Sequence, residues 1–165
     1  MSAMTTETLS TILIEKNDTG APDFDCSGMF AHFHATEMID YPVQVGEKGF
    51  LLSAVSFGEP MLVLFVPDFN RMDCDKIGSK ISGHALLNNA HVVFVQVYNR
   101  KKATIAFYNA NEGCVTPTRE AYAAALTIGA ITHRLNRSAE FIQSDKVIFG
   151  EWDEQSNHVF ISLMN

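Results

Sequence analysis

Twelve consecutive residues, Ala121 to Thr132 (AYAAALTIGAIT), carry no charge on any side. A helix on the surface of a domain is apolar along one stripe, whereas one that is apolar all round has to be buried on every side. The stretch is rich in Ala and Leu, and its flanks suit a helix of about residues 118–134. Glu120 near the start and His133, Arg134 and Arg137 toward the end complement the helix dipole, while Arg119 opposes it. Thr116 fits the N-cap, and Pro117 fits the first helical position, where a missing N–H costs nothing. Twelve helical residues span about 18 Å, roughly the length of a strand in a small barrel. Whatever surrounds this helix must cover it completely.

The surroundings read mostly as strands. Short β-branched and aromatic runs occur at Thr11 to Glu15, Met29 to Thr36, Gly49 to Phe57 and Met61 to Pro67. His91 to Tyr98 and Ala103 to Asn109 flank the basic turn around Arg100 and read as a hairpin, as do KVIFGEW and HVFISLM around Asp153 to Asn157. Asp73 to Leu87 gives a second, short helix near residues 73–87. It places Ile77 and Ile81 on one side and is weakened by Gly78 and Gly83. The expected fold class is α+β: a curved sheet or barrel, antiparallel or mixed, wrapped around one central hydrophobic helix. No linker or repeat divides the chain, so residues 1–165 are expected to form a single domain.

Composition removes several function classes. Hydrophobic residues make up 47% and charged residues 19%, a globular balance. Twelve basic against 19 acidic side chains give a formal net charge of -7. Most of that surface repels nucleic acid, and no basic run with interleaved aromatics appears. No stretch reaches the roughly 18 apolar residues of a membrane span, and the N-terminus lacks the pattern of a signal peptide. The three cysteines, Cys26, Cys74 and Cys114, are odd in number without paired spacing, which argues against a disulfide framework. Cytoplasmic localisation is the resulting expectation.

From Val55 onward the chain resembles the C-terminal half of the diaminopimelate epimerase superfamily, over about two thirds of its length. VSFGEPMLVLFVPD is similar to the family's Ser-x-Gly-Asn-Pro-His segment and the strand after it. KIGSKISGHALLNNAHVVFVQVYNRKKATIAFYNANEG is similar to the next block, a short helix followed by two strands. The helix from Thr118 matches one that the family opens with Cys-Gly-Thr-Gly. The resemblance implies a half-barrel around a central helix, no cofactor and no metal. It also implies a site in which two cysteines, one from each half, exchange a proton at the carbon next to a carboxylate. Helix N-termini hold that carboxylate.

On this resemblance the candidate catalytic residue is Cys114, with Thr118 as the alternative match to the family cysteine. Ligand contacts are implied at Glu59, His91, Thr116, Thr118 and Arg119. The family's Asn and His of Gly-Asn-Pro-His are here Glu59 and Met61, its Asn before the strand is His91, and its Glu-Arg pair is Asn109-Ala110. Read as a residue, Cys114 is either a low-pKa thiol near a helix start or a small side chain packed there; no His or Lys lies within a few residues to activate it. His32 and His34 share one strand face, but two ligands do not make a zinc site. Two functions remain. One is a non-catalytic module that binds a small carboxylate or amino-acid-like ligand, or a protein, as a homodimer. The other is a cofactor-independent isomerase or racemase with Cys114 at a homodimer interface. No nucleic acid or membrane partner is expected.

Overall fold

The computed structural model describes residues 12–14 (as backbone), 39–57, 60–84, 90–153, 155 and 158–164. The strand read at Met29 to Thr36, together with Cys26, His32, His34 and Glu59, lies outside the described residues. Among the described residues there are ten strands: β1 (Ile12–Ile14), β2 (Tyr41–Val45), β3 (Lys48–Ser56), β4 (Pro60–Phe65), β5 (His91–Asn99), β6 (Lys102–Asn109), β7 (Gly113–Val115), β8 (Ser138–Gln143), β9 (Lys146–Trp152) and β10 (Val159–Met164). Helix α1 is Cys74–Ser82 and helix α2 is Arg119–Ile131.

All ten strands join one sheet in the order β1-β10-β9-β8-β6-β5-β4-β3-β2, with β7 paired only to β6. Among the described residues its two ends, β1 and β2, do not pair, so the sheet is curved and open, the curved-sheet form of the expectation. Most neighbours are antiparallel; β4–β5 and β6–β8 are parallel. Each parallel pair is joined through a helix, α1 for the first and α2 for the second. Both crossovers step the same way across the sheet, but β5 and β6 run in opposite directions. Right-handed crossovers then put the two helices on opposite faces.

The burial pattern agrees. Leu62, Leu64, Val92 and Phe94 pack with Ile81 of α1, whereas Val63, Val93 and Val95 pack with α2. Strands covered on both sides are continuously apolar, which is why MLVL and HVVFV are buried without alternation. Gly78 matters here: a Cβ in its place would strike the Tyr108 ring, so α1 lies tight on β6 because that residue is glycine.

Helix α2 fills the concave face. Residues Ala121 through Gly129 are buried all round, against side chains from β3, β4, β5, β6, β8, β9 and β10. Four alanines let the surrounding strands come close; Leu126 and Ile128 fill the larger gaps. Ile131 is half-buried, because the helix stops beside it. There the amide of Arg134 donates to the Gly129 carbonyl at 2.8 Å and that of His133 to Ala130 at 3.1 Å. His133 sits at φ 63, so the two bonds form a Schellman motif closed by a non-glycine residue. The turn delivers Arg134 to Asp40, at 3.0 Å, and over the Phe65 ring, at 4.3 Å.

Candidate functional site

Strand register gathers the family-matched positions at one end of the sheet. Met61 pairs with His91 across β4–β5, Val92 with Tyr108 across β5–β6, and Tyr108 with Cys114 across β6–β7. His91 is buried, and its Nδ1 accepts a hydrogen bond from the Ala110 amide at 2.9 Å. That bond places the proton of the neutral ring on Nε2. Its ring tilts against Phe107 at 5.7 Å. Asn109 accepts from the amides of Asn111 (2.8 Å) and Glu112 (3.2 Å), closing the β6–β7 turn. His91 and Asn109 thus both shape the backbone between β6 and β7.

Cys114 follows that turn, and its Sγ is bonded to Sγ of Cys74. The expectation of no disulfide is therefore overturned. The 40-residue separation carries no local signal, but α1 crosses the outer face of β5 and β6 and brings its first turn beside β7. Asp75 holds the junction, its Oδ1 accepting from the Cys114 amide at 2.9 Å. Asp73 caps the same helix, accepting from the Lys76 amide at 3.1 Å. With this bond, the argument from unpaired cysteines to a reducing compartment loses its ground. No helix among the described residues is long and apolar enough to cross a membrane.

The start of α2 differs from its sequence reading by two residues. The N-cap is Thr118, whose Oγ1 accepts from the Ala121 amide at 3.2 Å, so Thr116 and Pro117 precede the cap. The physical reason is β7: Val115 still pairs with Phe107, and the chain needs three further residues to turn into the helix. Thr116 is exposed in that connector and Arg119 is exposed as the first helical residue.

Beside this helix start lies a cleft of about 190 Å³, lined by Pro117 of the connector, by Arg119 and Tyr122 from α2 and by Lys146 and Leu163 from β9 and β10. Tyr122 is 4% exposed, and its hydroxyl is buried without a hydrogen-bond partner among the described residues. Burial, with a smaller contribution from the Asp145 charge, pushes its pKa up to about 12. It stays a neutral donor at physiological pH. The cleft therefore combines two cations with a helix N-terminus, both favourable to an anion.

The predicted residues split into two groups. His91 and Cys114 lie at the same end of the sheet, on β5 and β7 with β6 between them, His91 against Phe107 on the α2 face and Cys114 bonded to α1 on the other; Thr118 and Arg119 lie at the start of α2, and Arg119 borders the cleft. Tyr122, Lys146 and Cys74 were missed by sequence reasoning. A lone phenol inside an uncharged run is the trace Tyr122 leaves, whereas Lys146 is placed by a hairpin and leaves none.

An open mixed sheet curled round one buried helix, with a cleft at the helix N-terminus, defines the architecture. In sequence the chain is similar to diaminopimelate epimerases across most of its length. That of Moorella thermoacetica is 26% identical over 146 residues, 88% of this chain and 52% of the relative. That of Desulforapulum autotrophicum is 27% identical over 147 residues, 87% of this chain and 51% of the relative. A 66-residue stretch reaches 36% identity with the enzyme of Brachyspira hyodysenteriae. The similarity is longer than the two thirds read from motifs, and the chain spans about half the length of the curated relatives it matches. A crystal structure of a Bacillus anthracis phenazine biosynthesis protein, PhzF family, overlaps 93% of this chain and 54% of its own, at TM-score 0.42 and 13% identity. No protein-family model matches the chain.

Proposed function

We propose that this protein is a non-catalytic module that binds a small carboxylate or amino-acid-like ligand at the N-terminus of α2. The observation that carries this reading is the bond between Cys74 and Cys114. A sulfur in a disulfide neither takes nor returns a proton. Two bonded sulfurs also leave no room between them for the carbon that an epimerase must flank with two thiols. The anion-binding half of such a site is what remains: Arg119, Lys146 and the helix start. The ligand's carboxylate accepts from these donors, and the apolar wall around Ile148 and Leu163 covers its carbon chain.

A homodimer is part of the proposal. Phe160 and Met164 expose large apolar surface on β10, and Leu51 does so on β3. Exposed apolar groups on the strands of an open sheet favour a second copy. The similarity to diaminopimelate epimerases supports one other reading, a cofactor-independent isomerase that becomes active when the Cys74–Cys114 bond is reduced. Calorimetric titration with a panel of amino acids and dicarboxylates, diaminopimelate among them, tests the binding reading. A ligand should bind the oxidised protein and bind Arg119→Ala and Lys146→Ala at least about tenfold more weakly, the loss of one charge-assisted hydrogen bond. Binding that survives both substitutions would remove the cleft from consideration.

A further inference from the structure

On the opposite face of the sheet, far from α2, a second cleft of about 500 Å³ opens between α1 and the β2–β3 hairpin. Four of the chain's twelve basic residues line it: Lys48, Arg71, Lys76 and Lys80. The chain as a whole is acidic, with a net charge of -7. Glu47 and Asp73 are the two carboxylates at the same cleft, so it holds a local excess of positive charge. None of the four cations makes an ion pair among the described residues, and the Asp73 carboxylate is engaged in capping α1. The four come from three separate elements. Lys48 opens β3 after the Gly46-Glu47 turn, Arg71 ends the short 3-10 turn Phe69–Arg71, and Lys76 and Lys80 lie on α1.

Two features point to a ligand. Lys76 and Lys80 are one turn apart on the same helix face, which sets their Cβ atoms about 6 Å apart and lets two ammonium groups flank one tetrahedral dianion. Lys76 also sits in the first turn of α1, where the helix dipole disfavours a cation. Asp73 and Asp75 offset that placement at the helix start, but no carboxylate pairs with the Lys76 ammonium among the described residues, and an anion in the cleft supplies that partner. The floor is apolar: Phe50 and Ile77 are half-buried and pack against the outer core.

We propose that this cleft binds a small phosphate ester carrying an apolar ring, the phosphate between Lys76 and Lys80 and the ring on Phe50 and Ile77. The site is separate from the α2 cleft and does not depend on what binds there. Titration of the full chain with phenyl phosphate and adenosine monophosphate is the test, with ribose 5-phosphate and citrate as comparators. The two ring-bearing esters should bind, more tightly than ribose 5-phosphate and citrate, and lose affinity as salt rises. Lys76→Ala/Lys80→Ala on the helix and Lys48→Glu on the hairpin should each weaken binding by at least about tenfold. Lys101→Ala/Lys102→Ala, at the far hairpin, should leave it unchanged. No binding of either ester at millimolar concentration would overturn the proposal. So would citrate binding as tightly as the esters, or binding indifferent to the Lys76, Lys80 and Lys48 substitutions.

Discussion

Replacing Tyr122 by Phe removes one buried oxygen and nothing else, and the structure fixes the sign of the effect. The hydroxyl has no partner among the described residues although Tyr122 is 4% exposed. A buried unsatisfied polar group costs about 1–3 kcal/mol, while the ring keeps its edge contact with Phe141 at 5.4 Å between centroids. Tyr122→Phe should therefore stabilise the fold by about 1 kcal/mol or more at pH 7, raising Tm by about 2–4 °C per kcal/mol for a chain of this size. A second signature appears in alkali. Burial raises the Tyr122 pKa from 10.0 to about 12, so the folded state keeps a proton that the unfolded state has released. Stability from this group is complete below pH 10 and is lost as pH rises through about 12. Two units correspond to about 2.7 kcal/mol. Urea denaturation of both proteins between pH 7 and pH 11.5 measures both effects. The stability difference should widen in favour of Phe above pH 10. A variant less stable than wild type at pH 7, or a difference that does not change with pH, would show that the hydroxyl is satisfied.

The remaining predictions concern the core, the cross-link and assembly. Leu126→Ala should lose about 2–5 kcal/mol in chemical denaturation, and Leu126→Asp should leave the domain unfolded by circular dichroism, because α2 offers no exit to water for a charge. Cys74→Ser/Cys114→Ser should cost about 4 kcal/mol on the loop-entropy argument for a 40-residue separation. A reductant should lower the wild-type Tm and leave that of the variant unchanged. Sedimentation equilibrium at micromolar concentration should give twice the chain mass, and a strict monomer would remove the dimer.

The uncharged run at Ala121 to Thr132 was enough to place α2 at the centre, because burial on all sides has few architectural solutions. The long strands β3, β4, β5, β6, β9 and β10 were legible for the same reason: hydrophobic patterning is dense there. Three short strands were not. β2 contains Pro42, admissible because β2 is an edge of the sheet. β7 is three residues long, too short for a period, and yet it delays the helix to Thr118. In β8 the inward Ala139 and Phe141 alternate with polar Ser138 and Glu140, and the polar Gln143 side chain follows them on their own face. That side chain accepts from the Ile105 amide at 3.2 Å and donates to its carbonyl at 3.2 Å, standing in for backbone where β8 leaves β6. The site was legible only where the resemblance named positions. His91 and Cys114 come to the same end of the sheet, but with β6 between their strands and on opposite faces. The pairing of Cys114 with Cys74 depends on the β4–α1–β5 crossover, which no local pattern encodes.

The central claim is that this scaffold has kept an anion-binding helix start without proton-transfer chemistry. Solvent deuterium incorporation at the α-carbon of a panel of amino acids tests it most directly, with wild type and Cys114→Ser compared in oxidised and reduced buffer. The account predicts incorporation no faster than the uncatalysed background for both proteins in both buffers. Incorporation above background in wild type that disappears in Cys114→Ser would contradict it and make the protein an isomerase; its appearance in reductant alone would make the Cys74–Cys114 bond the switch.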